Sequence, residues 1–96
     1  MSPKNKKKLN LIRIKLDKLD NKLLNLIKYR TFLVKEVLKL KEFKKEIVDK
    51  KRISFILNKI KAKSKKLNID PKITNRIWKN MIWSYIDYER RNFKKK

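Results

Sequence analysis

The sequence predicts an all-α protein with three helices per chain, the first of them very long, and a second copy of the chain needed to complete the fold. Three observations predict it. The 96 residues contain no glycine and only two prolines, Pro3 and Pro71, so the turn residues that a sheet requires are missing. Apolar residues recur at alternating three- and four-residue spacing from Leu9 to Leu40 with no breaker among them, which is a heptad seam. A helix that long overruns the size of a compact single domain of this length.

The first helix is expected over about residues 4–42. Ser2 is a plausible cap, and Pro3 suits the first helical position. The seam runs Leu9, Ile12, Leu16, Leu19, Leu23, Leu26, Leu33, Val37 and Leu40, with Arg30 in the slot between Leu26 and Leu33. At 1.5 Å per residue such a helix is about 55 Å long, whereas a compact chain of this size has a radius of gyration near 13 Å. Length alone therefore implies a partner chain.

The second helix is expected over about 50–66, capped by Asp49, with Ile53, Ile56, Leu57 and Ile60 on its apolar face. Asn68 is suited to a left-handed position after it, in place of glycine. The third is expected over about 71–91. Asp70-Pro71 is the sharpest local signal in the chain, a cap followed by a first-turn proline. Its apolar residues are Ile73, Ile77, Trp78, Met81, Ile82, Tyr85 and Ile86. The tail from Arg90 to Lys96 is expected to be solvated and frayed. No internal repeat is visible, and residues 1–96 read as a single helical domain.

Composition narrows the chemistry. Without cysteine there is no disulfide and no thiolate. Without histidine the usual base near neutral pH and the commonest metal ligand are absent. No cofactor and no metal site is expected. The net charge of +22 suggests nucleic acid or an anionic surface. However, 25 of the 31 cations are lysine, and lysine, isoleucine and asparagine all have AT-rich codons, so base composition accounts for much of the charge as a solvated surface. No stretch approaches the roughly 20 apolar residues of a membrane span, and a cytoplasmic protein is expected.

Arg30 carries the functional argument. A buried arginine without an anion costs several kcal/mol, so it should face a carboxylate, either on a neighbouring helix or on a ligand. In this lysine-rich chain Arg13, Arg30 and Arg52 remain arginine within the helical body, and guanidinium is preferred where a carboxylate is gripped by two bonds. Arg13 and Arg30 are 17 residues apart, about 25 Å along one helix, so they cannot share a small ligand within one chain. In an antiparallel pair of first helices, Arg13 of one chain approaches Arg30 of the other. Lys41 lies about 16 Å beyond Arg30 along the helix, which two long side chains converging on a ligand can span. A composite small-ligand site at a homodimer interface, with Arg13 donated in trans, follows from this geometry.

Leu11-Ile12-Arg13, Leu19-Asp20-Asn21-Lys22-Leu23-Leu24-Asn25-Leu26-Ile27, Arg30, Val34, Val37 and Lys41 resemble the first helix of the all-α chorismate mutase family. Asp49 with Arg52 resembles that family's entry to the second helix, and Leu67-Asn68-Ile69-Asp70-Pro71 its junction into the third. The resemblance covers about Leu9 to Glu89. It implies an intertwined antiparallel homodimer and a pericyclic Claisen rearrangement of chorismate to prephenate. It further implies that Arg13 from the partner and Arg30 bind the two substrate carboxylates. Lys41 would donate to the ether oxygen, Asp49 would contact the ring hydroxyl, and Arg52 would help position a carboxylate. Tyr85 falls where the family often has serine. Glu89 falls where it commonly has glutamine, the second donor to the ether oxygen.

Two departures stand out. Ile53 replaces a glutamate that often binds the ring hydroxyl, and Glu89 can donate only when protonated. Burial in a closed site favours that form, while Lys41 and the arginines oppose it. Three rival readings remain. An isochorismate–pyruvate lyase of the same fold uses the same cations. A basic nucleic-acid-binding helical protein explains the charge, but it leaves the seam arginine without a role and sets aromatics on or beside an apolar face. A purely structural coiled coil would bury Arg30 and Asp20 without compensation.

Overall fold

A computed structural model describes residues 1–94. It is helical throughout: α1 is Pro3–Leu40, α2 is Lys50–Lys66 and α3 is Pro71–Asn92, with a short 3-10 turn at Lys44–Glu46. Among the described residues there is no strand, and no helix is long and apolar enough to cross a membrane. Lys95 and Lys96, the end of the tail expected to fray, lie outside the described residues. The chain divides into two compact units, residues 1–33 and residues 34–96.

The first unit is the body of α1. Ser2 caps it as expected, its Oγ accepting from the amide of Asn5 at 3.2 Å. No residue of α1 is buried. The seam is exposed along the helix: Leu16 and Leu23 show 51% and 54% of their surface. Large exposed apolar patches are characteristic of interaction surfaces.

The second unit is built around Ile47, Ile82 and Ile86, with Val48, Ile53, Ile56, Leu57 and Phe93 packed against them. α2 packs on α3, and the expected face of α2 is the one that turns inward. Both caps form. Asp49 accepts from the amide of Arg52 at 3.0 Å, and Asp70 accepts from the amide of Lys72 at 2.9 Å, with Pro71 opening α3. Between α2 and α3, Asn68 takes φ 56°. Around it the amides of Leu67 and Ile69 return to the carbonyls of Lys63 and Ser64, which satisfies the last carbonyls of α2. Where the two helices cross, Ser64 is buried. Its hydroxyl donates to Ile60 O at 2.6 Å and shares a 2.7 Å hydrogen bond with Thr74.

Two boundaries differ from expectation. α1 ends at Leu40 rather than near residue 42, because the Glu46 carboxylate takes the amides of Glu42 and Phe43 at 3.2 and 2.9 Å. Continued helix would bind those amides to carbonyls four residues earlier. At the other end the helix persists through Arg90 and Arg91 to Asn92 instead of fraying. Arg91 pairs with Asp87 at 2.9 Å, Asn92 donates to the carbonyl of Tyr88, and Phe93 is half-buried against the core.

Candidate active site

Lys41 is the first residue beyond α1, its amide bonded to Leu38 O at 3.2 Å. From there its side chain reaches α3, where Nζ lies 3.0 and 3.1 Å from the two carboxylate oxygens of Glu89. The pair is well shielded, with 18% of the Lys41 side chain and 7% of the Glu89 side chain exposed. Glu89 reaches this position because α3 continues the register of Ile82 and Ile86, placing residue 89 on the buried side of the helix. A carboxylate there needs a cation, and Lys41 supplies it. The resemblance implies one site for both residues, which are 48 positions apart in the chain.

Lys41 also lines a groove of about 550 Å³ together with Glu46, Val48, Asp49, Lys50 and Lys51. The groove is open to solvent rather than an enclosed cavity. Three ammonium groups meet two carboxylates there, and both carboxylates are engaged with backbone amides. Asp49 caps α2, and Glu46 holds the chain at residues 42 and 43. With Lys41 paired to Glu89, the ammonium groups of Lys50 and Lys51 stand against those two carboxylates, so the charges around the groove balance.

The remaining candidates are placed as follows. Arg52 is exposed on the first turn of α2, its guanidinium 5.5 Å from the centre of the Phe55 ring. It is tied to Asp49 through its own amide rather than through its side chain. Tyr85 is half-buried one turn before Glu89 on α3. Ile53, where the resemblance leads one to look for glutamate, is half-buried against the isoleucine core. In the first unit, Arg13 is exposed on α1, while Arg30 is half-buried and its Nε is shut off from solvent. Of the aromatics expected on or beside the apolar face of α3, Trp78, Tyr85 and Tyr88 are half-buried, and Trp83 is exposed.

Sequence reasoning missed Glu46, Lys50 and Lys51. The two lysines are indistinguishable by type from many others in the chain. Glu46 had a readable signal: an acid three residues after the start of a short turn is half of a capping box, and Phe43 in place of serine or threonine hid it.

The family model of chorismate mutase type II matches residues 12–90 of the chain. Neither the curated proteins nor the solved structures contain a match.

Proposed function

The chain belongs to the chorismate mutase type II family, a family of isomerases, and from that premise we propose how it converts chorismate to prephenate. The rearrangement is unimolecular. The ether C–O bond breaks as a new C–C bond forms, and no proton, electron pair or group leaves the molecule. The protein's task is to hold a flexible dianion in its reactive chair and to stabilise the negative charge that grows on the ether oxygen.

In this reading Arg30 and Arg13 of a second copy grip the two carboxylates by paired N–H donors. Arg52 and Tyr85 help to position the substrate, and Asp49 meets the ring hydroxyl. Lys41 is the donor aimed at the ether oxygen, and Glu89, when protonated, is the second. The observation that carries the proposal is the shielded Lys41–Glu89 contact, with Lys41 also lining a groove beside Asp49. In the resting chain Glu89 holds the ammonium in place and prevents it from wandering on its four-carbon stem. A homodimer is supported by the exposed seam of α1, since two such stripes would cover one another. A cytoplasmic setting belongs to the same reading.

One observation favours a second reading. Ile53 sits in the core, so the ring-hydroxyl contact that a glutamate would supply is missing, and an isochorismate–pyruvate lyase of this fold would need it less. The test offers the protein chorismate and isochorismate separately. Prephenate from chorismate is expected, whereas salicylate and pyruvate from isochorismate, with chorismate untouched, would establish the lyase. Glu89→Gln tests the role of Glu89. Glutamine is a permanent N–H donor, so kcat should hold or rise, and a kcat lowered as far as in Glu89→Ala would remove residue 89 as a donor.

A further inference from the structure

We propose that Glu46 is a positioning residue for Lys41: its carboxylate fixes the backbone directly after the lysine and so aims the ammonium. This rests on the reading of Lys41 as the donor to the ether oxygen.

The geometry is local. Glu46 Oε1 accepts from the amides of both Glu42 and Phe43, at 3.2 and 2.9 Å. Those are the first two peptide groups after Lys41, and helix α1 has already ended at Leu40. Glu46 is itself held from the other side. Its amide donates to Phe43 O at 3.0 Å, and the next residue, Ile47, is the most buried apolar side chain of the core at 3% exposure. The connection is thus pinned to the core at Ile47 and tied back to the end of α1 by one carboxylate oxygen. Without that oxygen the two exposed amides turn to water or to the carbonyls that would extend α1, and the backbone after Lys41 is no longer held in this turn. Lys41 has a long flexible stem, so a donor that must be pre-aimed depends on a fixed Cα. Glu89 orients the tip of the side chain, and Glu46 anchors its base.

Four proteins test this: wild type, Glu46→Gln, Glu46→Ala and Lys41→Ala, each assayed by loss of chorismate absorbance and normalised to the folded fraction. Glutamine keeps the acceptor oxygen and loses the charge, while alanine loses both. The expected result is a kcat about tenfold lower in Glu46→Ala, part of the roughly hundredfold that losing a charge-stabilising donor costs. Its KM should stay within about twofold, and Glu46→Gln should keep kcat within about threefold. General loosening of the fold would lower the folded fraction and leave the normalised kcat unchanged. Wild-type kcat in Glu46→Ala beside a crippled Lys41→Ala overturns the proposal, as does a Glu46→Gln as impaired as Glu46→Ala. Normal turnover in Lys41→Ala would bring down the reading of the site itself, and the positioning role with it.

Discussion

Replacing Lys41 with alanine should damage stability and turnover together, and the two losses can be worked out separately. The ammonium lies 3.0 Å from a Glu89 oxygen. Unit charges at that distance attract by about 5 kcal/mol at an effective dielectric constant of 20, and most of this is offset by the cost of taking both groups out of water. The net value of the pair is therefore small, but the cost of halving it is not. Lys41→Ala leaves a carboxylate inside with only 7% of its side chain exposed, and orphaning a buried charge costs about 3–5 kcal/mol. Because Lys41 itself is 18% exposed, and water can enter where its side chain was, the low end of that range applies, about 3 kcal/mol. Native domains are stable by only about 5–15 kcal/mol, so the urea midpoint should fall far. Adding Glu89→Gln removes the stranded charge, and the double variant should recover about 1–2 kcal/mol over Lys41→Ala alone. Unfolding must be compared at one chain concentration. In the direct absorbance assay, kcat should fall at least about a hundredfold, equivalent to about 2.7 kcal/mol of lost transition-state stabilisation. A near-normal kcat would refute the donor assignment. Strictly additive stabilities for the two substitutions would refute the energetic coupling of the pair.

Arg30→Ala should raise KM as well as lower kcat, and so should Arg13→Ala. Co-refolding the two inactive variants should restore up to one intact site per mixed dimer, and no recovery on mixing would exclude a site shared between chains. Leu23→Glu places a charge in the middle of the α1 stripe and should give a monomer with little activity by sizing and assay; an active dimer would show that the stripe is not the interface. Ser64→Ala breaks the buried hydroxyl pair with Thr74 and should cost about 1–3 kcal/mol, since Thr74 loses a partner in a shielded place. Chemical denaturation with no midpoint shift would contradict that.

Much of the fold is legible because its signals are local. Asp49 and Asp70 cap α2 and α3 where the sequence places them, since a cap depends only on residues two or three positions away. The length of α1 is legible because a seam without breakers has one reading. Its end is less so, because Glu46 competes for the amides that would extend the helix, and that competition needs the connection to be folded back by Ile47. The persistence of α3 past Arg90 depends on the burial of Phe93, a tertiary fact absent from a lysine-rich tail. Within the site, Lys41 and Glu89 were assigned together from the spacing of a family pattern, and they meet. The conformation of Arg52 over Phe55 was not legible, because nothing in the spacing of two residues on one helix says whether a guanidinium turns toward a ring or a groove. Ser64 was overlooked although it continues the spacing of Ile56 and Ile60. A small hydroxyl in an apolar series reads as surface until a partner such as Thr74 is seen opposite.

The turn at Asn68 limits which amino acids neutral exchange can place there. In left-handed backbone, glycine would relieve the strain on a side-chain-bearing residue but would also raise the entropy of the unfolded chain by about 0.5–1 kcal/mol, so asparagine gives up little by standing in its place. Isoleucine, plentiful elsewhere in the chain, is a true outlier at φ 56°. Position 68 is therefore held to a short menu of asparagine, aspartate or glycine, at the far end of a helix about 25 Å long that Asp49 opens.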